Sequence, residues 1–219
     1  MVTLLATMTD ELLPAPTVDL VKEHCIAFDE KATIKLVEEA LALLRTHLAR
    51  NTEISHVYLK ALALNKLYST RVEDRHVEPL ARHIAGLDID QCLDQGDLGV
   101  VDRIADCPDI KRYLSFASKY CSLHRPETYP IWDGNARECL WSYQLQDQFG
   151  DFPNDDLWVY QKYVKIVLAF RYHYRLNCYS IRQLDKFFYL SGDRILKAKA
   201  AAKAVAKAAK ARGDSDSPA

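Results

Sequence analysis

The chain of 219 residues has few of the residues that end helices, with only 7 glycines and 8 prolines, and alternating strand-like runs are scarce. This scarcity favours helices over strands. No uncharged stretch approaches the ~18–20 apolar residues that span a bilayer, which excludes a membrane protein. The segment 1–14 has no basic leader ahead of its apolar residues, so we expect no secretory signal.

Cysteine is present but shows no metal-binding spacing. No two of the six cysteines form a C-x-x-C pair; they are Cys25, Cys92, Cys107, Cys121, Cys139 and Cys178. This pattern supports neither a zinc ribbon nor a dense disulfide scaffold. We therefore expect reduced thiols, a cytoplasmic location, and neither a metal nor another cofactor.

The formal net charge of -1 conceals an uneven distribution. Residues 197–219 carry +4 and residues 1–196 carry -5. Because so acidic a body is a poor general binder of polyanions, a nucleic-acid site would have to be a local basic face, for which 103–137 is the best candidate. The Ala/Lys-rich tail has high helix propensity and little to bury, so it is either a solvated, frayed helix or a salt-sensitive phosphate tether.

Helical periodicity dominates the chain and predicts an all-α fold. Apolar residues recur at spacings of three and four on one face of a helix at Ile34, Val37, Leu41, Leu44 and Leu48. Further helices are predicted over 55–68, 72–86, 97–106, 114–124, from the turn 129–135 through Trp141, and over 156–176, the last buried on several faces. A capping box at Ser180 and Gln183 opens one more helix, which is expected to stop at Gly192.

The predicted helix 114–124 has two distinct faces. One is a core stripe formed by Leu114, Ala117, Cys121 and His124. On another side lie Ser115, Lys119 and Ser122. Because helical side chains lean toward the N-terminus, the Lys119 arm can reach back over Ser115 toward the helix start, where free N–H groups favour phosphate. The alternative is a solvated surface lysine.

The segment Pro130-Ile131-Trp132-Asp133-Gly134-Asn135-Ala136-Arg137 resembles the catalytic-aspartate segment of the helix-hairpin-helix DNA glycosylases. The similarity is closest to the adenine-removing mismatch branch, whose pattern is Pro-Ile-Leu-Asp-Gly-Asn-Val-Lys. Without a gap, Ser115-Phe116-Ala117 coincides with that branch's Ser-Thr-Ala. The resemblance spans about residues 60–145 and implies a two-lobed helical bundle over 1–196, while the Ala/Lys-rich composition of 197–219 predicts a flexible basic tail.

The resemblance also implies roles for individual residues. Asp133 would stabilise positive charge on the sugar as the base departs and deprotonate a nucleophile, which is either water or Lys119. Asn65 stands near the family's wedge position, although it could instead cap its helix, and Asp133 could be a plain N-cap. DNA contacts are expected from Asn65, Lys111, Arg112, Ser115, Asn135 and Arg137. A base pocket is expected from Tyr68, Tyr120 and Trp132.

Three departures from the family pattern bear on the substrate. Ile110-Lys111-Arg112-Tyr113 replaces the glycine-containing hairpin, the general-acid glutamate of the adenine branch falls near Ala61, and the iron–sulfur cysteine cluster is absent. The resemblance as a whole implies a glycosylase that removes a flipped damaged or modified base from double-stranded DNA. We expect it to be a monomer that acts in base excision repair or in antiviral defence against phage DNA with modified bases. The alternative is a catalytically silent helical module that binds DNA or a protein.

Overall fold

The computed structural model describes residues 13–213, together with the side chains of residues 13–207. This part of the chain is all-α, with ten α-helices, one short 3-10 helix and no strand. The α-helices are α1 (Val18–Asp29), α2 (Ala32–His47), α3 (Ile54–Leu67), α4 (Asp74–Gly86), α5 (Ile89–Gln95), α6 (Gly99–Ala105), α7 (Leu114–His124), α8 (Gly134–Asp147), α9 (Tyr160–His173) and α10 (Ile181–Gly213). The 3-10 helix spans Asn154–Trp158 and precedes α9.

Side chains that satisfy free backbone groups fix several helix starts. Thr17 accepts a hydrogen bond from the amide of Leu20 at the start of α1. The predicted capping box before α10 is confirmed, because the Ser180 amide donates to the Gln183 side chain at 2.9 Å and the Gln183 amide donates to the Ser180 hydroxyl at 3.2 Å. Such caps stabilise a helix start by satisfying backbone N–H groups that have no partner within the helix.

The core runs through the middle of the helical assembly. Helix α7 packs against α2, α3 and α6, and ten of its eleven residues are buried. Helix α10 lies against α1 and α8, and its Phe187 and Phe188 meet Phe170 of α9 in an aromatic cluster. A helix buried on nearly all sides holds its side chains in fixed positions, which makes α7 a rigid support for polar groups.

Most predicted helices are confirmed, and two predictions need correction. Helices α3, α4, α6 and α7 match their predicted ranges to within two residues, whereas α1 and α5 were not predicted. The helix predicted over 156–176 is the 3-10 helix followed by α9. Trp158 ends the 3-10 helix and is half exposed, and the chain is extended at Val159 before α9 begins.

The largest correction concerns Gly192, which was expected to end its helix. Helix α10 continues to Gly213, so it crosses residue 197, where the basic tail was expected to begin. Gly192 lies inside α10, where a Cβ atom would overlap the backbone carbonyl of Asn135 in α8. The glycine is therefore a point of close helix–helix contact rather than a cap.

The state of the cysteines and the apolar character of the helices can be compared with three further predictions, which concern the thiols, a membrane span and a leader. All six cysteines are free thiols; Cys178 is exposed, Cys92 is partly buried and the other four are buried. No helix between residues 13 and 213 combines the length and apolar character needed to cross a membrane. The expected absence of a leader concerns residues that fall largely outside the described range, as do the last six residues of the tail.

We expect Gly192→Ala to lower the free energy of unfolding by about 3 kcal/mol, because the added methyl group forces α8 and α10 apart. Urea denaturation of the purified chain measures this change. The matched control is Gly86→Ala at the end of α4, where a Cβ meets no atom within 4 Å and the change should stay within about 1 kcal/mol. Equal effects of the two substitutions would contradict the packing argument.

Candidate functional site

A cavity of about 680 Å³ opens between α2, the loop after α3, α7, the turn before α8, and α10. Its size falls within the ~300–1,000 Å³ typical of sites for small organic ligands. The polar and ionisable side chains on its wall include six that come from five separate parts of the chain: Glu38, Tyr68, Lys119, Asp133, Arg182 and Asp185. Polar groups from distant segments therefore converge on one concave surface.

A lysine and an aspartate lie together on the cavity wall. The Nζ atom of Lys119 is 3.4 Å from Oδ2 of Asp133 and 3.4 Å from the carbonyl oxygen of Tyr68. The side chains are only 9% and 17% exposed, respectively. Lys119 reaches back toward the start of α7, as its position in the helix predicted, and is not a solvated surface cation.

The two carboxylate oxygens of Asp133 have different partners. Oδ1 accepts a hydrogen bond of 2.9 Å from the amide of Ala136, so Asp133 is the N-cap of α8. Oδ2 faces Lys119 and the cavity. The cap fixes the orientation of the side chain and leaves the second oxygen available for chemistry in the cavity.

The backbone immediately before Asp133 is held by buried side chains. Four of them, from α7, α9 and α10, hydrogen-bond to the backbone of residues 130–132: Ser118, Tyr160, Tyr163 and Asp185. For example, the Tyr163 hydroxyl donates to the carbonyl of Ile131 at 2.6 Å, and the amide of Ile131 donates to Asp185 at 3.1 Å. The position of Asp133 therefore depends on tertiary contacts as well as on its own helix.

Tyr68 connects the lysine–aspartate pair to an arginine–glutamate pair. Nζ of Lys119 lies 5.9 Å from the centroid of the Tyr68 ring. The Tyr68 hydroxyl donates to Oε1 of Glu38 at 2.8 Å, and Nη2 of Arg182 donates both to that oxygen at 2.6 Å and to the Tyr68 hydroxyl at 3.0 Å. Burial raises the pKa of Tyr68 above its ordinary value, although Arg182 opposes the shift, so the phenol stays neutral and can donate.

Asp185 is the most deeply buried acid at the cavity, with 5% of its surface exposed. Burial raises its pKa well above the ordinary range; Arg182 and the Ile131 amide oppose the shift, and the nearby Asp133 adds to it. The carboxyl group therefore binds a proton much more readily than an exposed aspartate does.

The expected base pocket needs correction at two of its three residues. Tyr68 lines the cavity, and so do Ser115 and Asn135, which were expected to contact DNA. Tyr120 is fully buried and donates to the side-chain oxygen of Asn51 at 2.6 Å. Trp132 is buried beneath the turn, where its indole donates to the carbonyl of Leu157 at 2.5 Å. Both aromatics face the core because their polar atoms find partners there.

The expected wedge residue is also used internally. The Asn65 side chain accepts from the Val72 amide and the Thr70 hydroxyl, both at 2.9 Å, and donates to the Val72 carbonyl at 2.8 Å. It therefore anchors the loop after α3 rather than capping the helix end or projecting outward. Within this loop Ser69 and Arg71 have positive φ angles of 49° and 60°, and the exposed Arg71 borders the cavity.

The three remaining basic candidates lie away from the cavity. Lys111 pairs with Glu73 at 2.9 Å, and Arg112 pairs with Asp102 and Asp106. The guanidinium carbon of Arg137 lies 4.8 Å from the ring centroid of Trp158. The charges of Lys111 and Arg112 are thus partly neutralised by their own chain, and exposed pairs of this kind are weak enough to exchange partners.

Three cavity residues were not identified from the sequence. Glu38 and Arg182 are 144 residues apart, and neither belongs to a recognisable motif. Asp185 lies among apolar core residues of α10. An acidic residue at a core position of the predicted helix was the one sequence signal that could have indicated a buried carboxyl group.

Two comparisons with known proteins cover part of the chain. Residues 20–128 match a family model described as an N-terminal domain, HI_0787_N. An uncharacterized protein of Haemophilus influenzae is 33% identical over 135 residues, which is 60% of this chain and 63% of the relative. The match thus spans less than two thirds of that relative's length. No solved structure matches the chain.

The family match divides the candidate site between two segments. Glu38, Tyr68 and Lys119 lie inside the matched residues. Asp133 and Arg182 lie beyond them, so the matched segment alone does not contain the complete constellation.

A second polar cluster lies at the C-terminal end of α7. The fully buried Lys60 donates to the carbonyl oxygens of Leu48 and Arg50 at 3.0 and 2.9 Å, and to the side chain of Asn51 at 2.5 Å. Its Nζ atom is 3.5 Å from Nε2 of His124. Burial lowers the Lys60 pKa to about 8, opposed by Asp90, while burial and the Lys60 charge lower the His124 pKa to about 3.

We expect acid to weaken the fold through His124. Its folded-state pKa of about 3 lies below the ordinary 6.5, so below pH 6.5 the unfolded chain binds a proton that the folded chain does not, and stability falls. From pH 7.5 to pH 5 this costs about 2 kcal/mol. His124→Gln should remove this loss of unfolding free energy between pH 7.5 and pH 5, as measured by urea unfolding at both pH values. His47→Gln, at an exposed histidine, should retain the pH-dependent change in unfolding free energy. If both variants show the same change between the two pH values, His124 is not its source.

Proposed function

We propose that the chain is a DNA N-glycosylase that cleaves the bond between a flipped base and its deoxyribose. The observation that carries this proposal is the pair of Lys119 and Asp133, 3.4 Å apart on the wall of a cavity of about 680 Å³. The resemblance of residues 130–137 to the catalytic segment of helix-hairpin-helix DNA glycosylases supports the same function.

The cavity suits a base that has left the duplex. A glycosidic bond inside stacked DNA is inaccessible, so an enzyme of this type extrudes the nucleotide into a pocket at a cost of a few kcal/mol. Lys119 and Asp133 lie on the wall of the pocket, where the C1′ atom of an inserted nucleotide would approach. Little of either side chain is exposed, which limits competition from water.

Lys119 has the chemistry of a nucleophile in this position. It must first give up a proton, and Oδ2 of Asp133 is the carboxylate oxygen within reach. The neutral nitrogen then attacks C1′, and the electron pair of the C1′–N bond leaves with the base, which takes a proton from water. Loss of a proton from the lysine nitrogen and opening of the C1′–O4′ bond, whose oxygen is protonated, give a Schiff base.

Asp133 has a second task in the version in which water attacks, because in the lysine version its carboxylate has already taken the proton of Lys119. Positive charge develops on the sugar as the base departs, and an ionised carboxylate nearby stabilises it. If water attacks in place of Lys119, Asp133 serves as its general base and the product is an abasic site without a covalent intermediate. The N-cap hydrogen bond from Ala136 keeps the carboxylate in position throughout.

Glu38, Tyr68 and Arg182 form a surface that can recognise a base edge. They present a carboxylate, a hydroxyl and a guanidinium side by side on the cavity wall, and heterocyclic bases carry donors and acceptors side by side in the same way. Arg71 on the strained loop at the cavity border replaces Asn65 as our candidate for the side chain that enters the duplex.

The substrate is a damaged or modified base in double-stranded DNA, and the protein acts as a monomer. Among the described residues, position 61, where the adenine branch has its general acid, is a fully buried alanine. This argues against adenine opposite an oxidised guanine. Base excision repair and defence against phage DNA with modified bases both remain consistent with such a substrate.

The alternative is a catalytically silent helical module that binds DNA or a protein. Both members of the pair have structural partners, since Asp133 caps α8 and Lys119 donates to the Tyr68 carbonyl. The pairing of Lys111 and Arg112 with carboxylates also weakens the hairpin as a phosphate contact.

We expect Asp133→Asn to reduce base release at least about 100-fold while leaving duplex affinity within about threefold. Asparagine can still cap α8, so the substitution removes charge and basicity but not the fold. The measurement uses duplexes that each carry one oxidised, alkylated, deaminated or enzymatically modified base, with released base quantified by mass spectrometry. Release that survives the substitution would contradict the role of Asp133.

Borohydride trapping then separates the two nucleophiles. A covalent adduct that is lost in Lys119→Gln identifies the lysine route, whereas release without an adduct identifies water. Asp156→Asn and Lys162→Gln are matched controls, because these two residues form an aspartate–lysine pair at 2.6 Å outside the cavity. Duplex binding without release from any of these substrates would favour the silent module.

A further inference from the structure

One face of α10 runs from inside the cavity to the exposed end of the helix. Arg182, Tyr189 and Leu196 line the cavity at successive intervals of seven residues. Seven residues are nearly two turns of an α-helix, so these side chains lie on one side of α10. Gly192, on the same helix, is in close contact with the backbone of Asn135, which fixes α10 beside the turn that carries Asp133.

The same face continues into a pair of lysines. Lys203 follows Leu196 by seven residues and Lys207 follows it by eleven, so at about 100° per residue each lies within about 20° of Leu196 around the helix. Both side chains are exposed. At a rise of ~1.5 Å per residue, Lys207 lies about 16 Å beyond Leu196 along the axis.

These two lysines differ from the other two of the described tail. Lys197 pairs with Asp193 at 2.7 Å, and Lys199 pairs with Glu138. Within residues 13–207, Lys203 and Lys207 take part in no ion pair, and their neighbours along the helix are alanines and the exposed Val205. This segment therefore presents positive charge and almost no other chemistry.

We propose that the Lys203–Lys207 face of α10 binds the sugar–phosphate backbone of the DNA duplex whose base enters the cavity. This inference rests on the proposed function for its ligand. Successive phosphates of one strand are ~3.4 Å apart along the duplex axis, so with α10 lying along that axis the ~16 Å beyond Leu196 would span about five nucleotides. The contact is independent of sequence, because lysines on phosphates carry no base information.

The test compares the double variant Lys203→Gln/Lys207→Gln with the wild-type full-length chain. Binding to a 30-base-pair duplex without any modified base is measured at roughly 50 to 200 mM salt, where each lost phosphate contact lowers the slope of log K against log salt by about 0.9. We expect a slope reduced by about 1 to 2 and an affinity at low salt reduced at least about tenfold. Circular dichroism checks that α10 persists, since glutamine and lysine have similar helix propensity.

The matched control is Lys162→Gln/Lys165→Gln on α9, which removes the same charge from a helix that contributes nothing to the cavity. It should retain the wild-type slope. A wild-type slope in the Lys203→Gln/Lys207→Gln variant, or no duplex binding by the wild type, overturns the proposal. An equal loss in both double variants also overturns it, because general charge would then explain the effect.

The outcome is distinguishable from that of the glycosylase proposal. If the salt slope of the Lys203→Gln/Lys207→Gln variant is reduced but no substrate loses its base, the α10 surface binds DNA and the glycosylase proposal is wrong. If base is released but the salt slope of the variant is unchanged, the glycosylase proposal holds and the α10 proposal is wrong. With both correct, the variant releases base at the wild-type single-turnover rate once protein is saturating, because Lys203 and Lys207 lie outside the cavity.

Discussion

The carboxylate of Asp133 joins the fold to the candidate chemistry. One oxygen closes the first turn of α8, and the other faces Lys119 across 3.4 Å. Because the cap fixes the rotation of the side chain, the distance to Lys119 is set by the relation between two helices rather than by a flexible loop. The buried tyrosines and Asp185, which hold the backbone before the turn, then determine how rigid this relation is.

Two clusters of buried polar groups in the described part of the chain differ in character. At the cavity, Tyr68 bridges a lysine–aspartate pair and an arginine–glutamate pair, so each charge has an opposite partner. At the other end of α7, Lys60 has only neutral oxygens and a neutral imidazole as direct hydrogen-bond partners. Burying a charge among neutral groups is costly unless its hydrogen bonds are complete. The second cluster therefore has a structural role, and its contribution to the free energy of unfolding depends on pH.

Much of the fold could be predicted from the sequence because its signals are local. Periodicity located α3, α4 and α7, and the Ser180–Gln183 capping box located the start of α10. Gly192 was misinterpreted because no local pattern separates a glycine that ends a helix from one that another backbone approaches. Helices α1 and α5 were not predicted, although α6, which has seven residues like α5, was.

The candidate site could be predicted only in part, for a related reason. The position of Lys119 in α7 predicted its reach, and the motif around residue 133 identified its partner. Glu38 and Arg182 come from opposite ends of the chain and meet through tertiary packing alone. Tyr120 and Trp132 were expected in the pocket because aromatic character does not reveal which side of a helix or turn faces the core.

The unbroken course of α10 from Ile181 to Gly213 also limits how this chain can change length. Arg182 and Lys203 are 21 residues apart on one helix, about 32 Å along its axis. Inserting or deleting one residue between them turns everything downstream by about 100° and carries the lysines to another side. Insertions or deletions of seven or eleven residues return the lysines to within about 20° of their original side of the helix. Relatives that keep this geometry should therefore differ in the length of this part of α10 only by seven or eleven residues.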